Sequence, residues 1–208
     1  MPVESQRSPI PAKAEFDRQV GILRLKLSAA APAPRSVLAN NAGAAAVLVP
    51  IAERAGATHL VYIRRSEHVT THRGQIAFPG GRLDAADATP LDAALREANE
   101  EVGLHPSSVE VLGALPTMRT VTGGIVVAPF AGVIRSNAPL RANPAEVAEI
   151  FDVPFSALRD PRFRGDYEWT GGGRTGKFPA ILYEGRTIWG LTYRITLDLI
   201  ELLAGSAP

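Results

Sequence analysis

Residues 78–104 read FPGGRLDAADATPLDAALREANEEVGL, and the interpretation of this stretch decides the fold. Gly80 and Gly81 open a loop that carries Asp87. A helix follows, beginning near Thr89 and ending at Gly103. Thr89 suits an N-cap, Pro90 the first helical position, and Asp92 can complete a capping box. Gly103 supplies the left-handed residue that commonly stops a helix. Leu91, Ala94, Leu95, Ala98 and Val102 recur at three- and four-residue spacing and form one apolar stripe. Glu97, Glu100 and Glu101 fall together on a neighbouring face. Three carboxylates this close repel one another and raise each other's pKa, which makes sense if a cation sits among them. Oxygen donors of this kind suit Mg²⁺ or Mn²⁺. Taken alone, the same residues also describe an ordinary solvated helix face.

The context favours the site. Arg96, Glu97, Ala98, Asn99, Glu100, Glu101, Val102, Gly103 and Leu104 resemble the second half of the Nudix box, Arg-Glu-apolar-x-Glu-Glu-x-Gly-apolar. In the first half, Gly81 is followed after five residues by Asp87 where the box has Glu, and eight residues then precede Arg96. This one-residue expansion resembles the coenzyme A pyrophosphatase branch. The segment from Val61 to Gly81, VYIRRSEHVTTHRGQIAFPGG, carries a second resemblance to that branch. Arg65, Ser66, Gly74, Phe78, Pro79, Gly80 and Gly81 match its motif in register, and His72 and Gln75 also look like family residues. Thr70 stands where the motif has Arg.

At 208 residues the chain fits one domain with a sizeable core. Its 22 Lys plus Arg against 21 Asp plus Glu advertise neither nucleic acid nor a membrane as partner. The absence of cysteine excludes disulfides, a thiol nucleophile and a cysteine zinc site. No run reaches transmembrane length and no signal-peptide layout opens the chain, so a cytoplasmic protein is expected. The expected division is an N-terminal arm over residues 1–41, a domain resembling Nudix hydrolases over 42–204 and a tail over 205–208. Within the arm, Phe16, Val20, Ile22, Leu23, Leu25 and Leu27 suggest a short amphipathic helix interrupted at Gly21. Its apolar face, Phe16, Val20, Leu23 and Leu27, must pack on its own domain or on a second copy, and a homodimer is expected from it.

Apolar runs at Ala44–Ile51, His59–Arg65, Gln75–Phe78, Val109–Pro116, Ile125–Ile134 and Phe178–Tyr183 read as strands. A closing helix spans Thr192 to Leu203. The resemblance implies an α/β/α sandwich around a mixed sheet, with the C-terminal helix on the face opposite the box helix. It implies that Glu97, Glu100 and Glu101, joined by the Gly81 carbonyl, hold Mg²⁺ or Mn²⁺. Arg96 would hold the carboxylates in place, and Glu100, or else Glu146, would take the proton from water. Arg64, Arg65, Ser66, His72, Gln75 and Phe78 are the expected substrate residues, with Arg65 able to bind a phosphate bidentately. Arg174 and Lys177 are further cationic candidates. The implied reaction is hydrolysis of the pyrophosphate linkage of coenzyme A or a derivative. Alternatives are another nucleoside diphosphate derivative (a dinucleotide, ADP-ribose or a nucleotide sugar) or a non-catalytic nucleotide-binding regulator.

Overall fold

Strand β1 (Ala44–Arg54) is the axis of the fold. Ala46 and Leu48 face one side and Val49 and Ile51 the other, all almost fully buried, which is the signature of a strand covered on both faces. The computed structural model of the chain describes residues 12–28, 43–120, 124–136, 139–171 and 174–204. The tail at 205–208 and residues 1–11 and 29–41 of the expected arm therefore lie outside the described residues.

β1 runs parallel to β7 (Val126–Ile134) and antiparallel to β2 (Ala57–Arg65). β3 (Ile76–Ala77) and β8 (Val147–Pro154) pair with β2, while β5 (Val109–Ala114) and β6 (Met118–Arg119) pair with β7. One face carries the helix α2 (Pro90–Val102), whose Ala93, Ala94, Ala98 and Val102 pack with Ala46, Leu48, Ala128 and Phe130. The other carries α1 (Ala12–Ser28), the short α3 (Phe155–Arg159) and α4 (Gly190–Ala204). This is the expected α/β/α sandwich around a mixed sheet. A second, antiparallel sheet of β9 (Arg164–Gly171), β10 (Arg174–Tyr183) and β11 (Arg186–Trp189) adds Ile181 and Ile188 to the core on the α4 side.

The box helix has the ends its sequence prescribes. Thr89 Oγ1 accepts from Asp92 N–H at 3.2 Å and Asp92 Oδ2 from Thr89 N–H at 2.8 Å, closing the capping box. Gly103 ends the helix at φ 67°. Its buried stripe is rotated from the expected one. Leu91 and Leu95 are only half-buried, whereas Ala93 and the carboxylate-bearing Glu101 lie inside.

Two expectations are corrected. Gly80 and Gly81, read as loop, belong to strand β4 (Gly80–Arg82), with Gly80 opposite Val47 and Gly81 opposite Ala46. A Cβ at Gly80 would collide with the Ala46 carbonyl, so the glycine serves a close backbone approach. Nor does Gly21 interrupt α1, which is continuous over 17 residues. A glycine costs about 1 kcal/mol in a helix interior, less than the burial of four large side chains gains. Those side chains, Phe16, Val20, Leu23 and Leu27, are each no more than 3% exposed within this chain, against β2, β5 and α4. The homodimer expectation rested on this face, and among the described residues the face is covered by the chain's own sheet and α4.

Because α1 covers one side of the core, Leu23→Ala should destabilise the chain by about 2–5 kcal/mol in urea unfolding. Removing residues 1–28 should abolish a cooperative transition rather than halve the mass measured by light scattering. A truncated chain that keeps the wild-type midpoint would show that α1 contributes no packing energy.

Candidate metal and active site

The box helix directs two carboxylates to one spot, and a distant segment supplies a third. Glu97, Glu101 and Glu146 each offer a carboxylate oxygen, all within 4.8 Å of one another. Glu101 is 1% exposed; its Oε2 accepts from Gly80 N–H at 2.9 Å and its Oε1 from Arg65 Nη1 at 3.4 Å. Gly81 lies directly against Glu97, whose carboxylate a Cβ at that position would strike. Glu146 arrives by backbone docking onto the end of α2. Val102 and Glu101 carbonyls, left over at the helix C-terminus, accept from Arg141 and Asn143 N–H at 2.9 Å each. The Glu146 carbonyl in turn accepts from Ser66 N–H at 2.8 Å.

Arg96 ties the cluster together from outside. Its Nε and Nη2 form a two-pronged pair with the buried Asp87 at 3.0 and 3.1 Å, while Nη1 donates to Glu97 and Glu100 at 3.0 Å each. Asp87 thus orients the arginine, and the sequence signalled it only as a departure from the box pattern. Arg96 thus bonds Asp87, Glu97 and Glu100 at once.

Burial and like charge oppose ionisation of two of the carboxylates. Burial pushes the Glu101 carboxyl up to about 7; the Gly80 amide and Arg65 oppose this, and Glu97 and Glu146 reinforce it. Glu97 is also raised, chiefly by burial, with Arg96 opposing. Three crowded oxygen donors, two of them reluctant to ionise without a counter-charge, fit a hard divalent ion such as Mg²⁺ or Mn²⁺.

The side chains of the other expected site residues stand outside the group of three. Glu100 is half exposed at its side chain, bonds Arg96 and stands outside the group of three. Phe78 is buried in the core, stacked on Tyr62 with centroids 4.7 Å apart, and has no face left for a ligand. Ser66 is 3% exposed and its Oγ accepts from His68 N–H, a turn-forming role. Exposed His72, at φ 56°, pairs its Nδ1 with Gln75 Oε1 at 3.0 Å. Arg64 bonds Glu149 on the opposite side of β2 from Arg65. Lys177 is paired with Asp166 at 3.0 Å on the small sheet, and the Arg174 side chain lies outside the described residues.

The NUDIX domain family matches residues 42–170, which include the whole cluster. The chain belongs to the Nudix hydrolase family. It is 41% identical over 174 residues to the Nudix hydrolase NudL of Yersinia enterocolitica, itself uncharacterized, covering 82% of this chain and 86% of that one. NudL of Citrobacter koseri is 41% identical over 167 residues, covering 76% and 82%. Among solved structures, a Caenorhabditis elegans Ap4A hydrolase shares the fold with a TM-score of 0.52 at 15% identity, over 78% of this chain and 98% of that one. A Mycobacterium smegmatis Nudix hydrolase, RenU, superposes with a TM-score of 0.53 at 19% identity, over 79% and 88%. Among the described residues, no helix is long and apolar enough to cross a membrane.

Glu101 yields a pH signature. In the metal-free folded chain it binds its proton up to about pH 7, whereas the unfolded chain releases it near 4.5. The folded state therefore holds the extra proton between these values, and stability falls as pH rises through that window. Urea midpoints in EDTA from pH 5 to 8 should show wild type losing on the order of 3 kcal/mol relative to Glu101→Gln. Parallel profiles for the two proteins would contradict the assigned burial.

Proposed function

We propose that this chain hydrolyses the pyrophosphate linkage of coenzyme A or a derivative with Mg²⁺ or Mn²⁺. The products are 3′,5′-ADP and 4′-phosphopantetheine or its acyl form. The convergence of Glu97, Glu101 and Glu146 within 4.8 Å is the observation that carries this reading. When bound there, a divalent cation supplies charge that offsets the pyrophosphate's own and acidifies water.

The chain's residues divide the work. Glu97 and Glu101 hold the cation, with Gly81 beside them and Arg96 fixing the rotamer of Glu97. Arg65 stays next to Glu101 through a long 3.4 Å bond, which leaves its guanidinium capacity for a phosphate oxygen. Glu146, the third member of the group, holds the cation through one carboxylate oxygen and takes the proton from water with the other. It is only partly buried and, among the described residues, has no arginine or lysine partner. Glu100, in contrast, is already engaged by Arg96. The choice of coenzyme A rests on the Arg65-to-Gly81 resemblance, in which Thr70 is the one departure.

Release of products from a panel of coenzyme A, ADP-ribose, dinucleotides and nucleotide sugars, with Mg²⁺ and mass analysis, tests this. Coenzyme A should be turned over fastest. Glu97→Gln should lower turnover at least about 100-fold, since loss of a direct ligand exceeds the loss of an outer partner. Faster turnover of another pyrophosphate overturns the substrate assignment, and near wild-type rates in Glu97→Gln overturn the site.

A further inference from the structure

Across β2 from the carboxylates lies a groove of about 350 Å³ that the reaction as described does not use. Its size is within the range of small-ligand sites. Arg64, Arg73 and Gln75 form one wall, on the edge of the main sheet, and Trp169, Arg186 and Trp189 form the other, on the small sheet. Trp189 stands against Tyr167 with ring centroids 4.6 Å apart, so its indole is held in place. Arg64 and Arg186 share the carboxylate of Glu149, and Arg186 Nη1 lies 3.5 Å from Glu184. Arg73 donates Nε to the Val69 carbonyl at 2.8 Å and, among the described residues, has no carboxylate partner. Three guanidiniums thus face two carboxylates, beside two indoles.

That combination selects a ligand chemistry. Indole faces stack on a nucleobase, and an uncommitted guanidinium takes a phosphomonoester. Neither suits the uncharged amide arm at the other end of coenzyme A. We infer that the groove holds the purine nucleotide end of the substrate, with its phosphomonoester on Arg73, while the pyrophosphate lies at Glu97, Glu101 and Glu146. The inference rests on the proposed hydrolase reading and adds to it which end of the substrate goes where. The edge strand β3 connects the two places. Gln75 lines the groove, its carbonyl accepts from Arg65 N–H at 3.0 Å, and Gly80, five residues on, bonds Glu101. Five residues span at most about 17 Å, so β3 links the edge of the groove to the residue that bonds Glu101. Arg64 and Gln75, expected as substrate residues, line this groove rather than the carboxylate group.

The chain contains two tryptophans, Trp169 and Trp189, and both line the groove, so its intrinsic fluorescence reports on the groove directly. Titration of 3′,5′-ADP in EDTA should give a saturable change in wild type and equally in Glu97→Gln. Arg73→Ala, checked for an unaltered melting curve, should weaken it at least tenfold, and Trp169→Phe should reduce its amplitude. Adenosine and inorganic phosphate should each bind more weakly. Hydrolysis of coenzyme A with no saturable fluorescence change overturns the groove and leaves the hydrolase reading intact. A saturable change without hydrolysis supports the groove and removes that reading. An equal response to inorganic phosphate alone, or an unchanged affinity in Arg73→Ala, overturns the nucleotide assignment.

Discussion

The candidate site depends on holding the Glu101 carboxylate, 1% exposed, beside Glu97 and Glu146. Burial and like charge both oppose its ionisation, and the neighbouring elements are arranged as partial compensation. The amide of Gly80 reaches it because β4 runs tight against β1, where a side chain would collide. Arg65 at the end of β2 offers a positive charge. Arg96, aligned by Asp87, steadies Glu97 next to it. What remains uncompensated is charge that a bound cation would offset.

Much of this was legible along the chain because it is local. The capping box at Thr89, the stop at Gly103 and the strand runs obey short-range rules, and they appear where those rules put them. The membership of the carboxylate group was not local. Helical spacing places Glu97, Glu100 and Glu101 on one broad face, and 3.6-residue periodicity cannot tell which one turns away. The partner of Glu97 and Glu101 is Glu146, 45 positions beyond Glu101, brought in by backbone bonds to the helix end. β4 escaped notice because a Gly-Gly pair reads as a turn until a neighbouring backbone is seen to need the space. Phe78 looked like a binding residue because motif membership says nothing about whether a ring faces a ligand or the core.

Successive residues on β2 divide the chemistry. Arg65 reaches the buried glutamate on one face, and Arg64 reaches Glu149 on the other, following from the alternation of side chains along a strand. A two-residue Arg-Arg pair therefore serves two surfaces. The helix α1 has a comparable double character. It lies outside residues 42–170, where the family matches, yet its four large apolar side chains complete the core beneath β2 and β5. Gly113 permits this, since a Cβ there would sit 2.6 Å from the Leu27 carbonyl.

The central claim is that Glu146, rather than Glu100, completes the carboxylate group formed with Glu97 and Glu101. Mn²⁺ affinity measured by electron paramagnetic resonance in Glu146→Gln and Glu100→Gln tests it most directly. Glu146→Gln should weaken Mn²⁺ binding at least about tenfold, with Glu100→Gln staying within about threefold of wild type. The reverse order, a large loss in Glu100→Gln and none in Glu146→Gln, would contradict it.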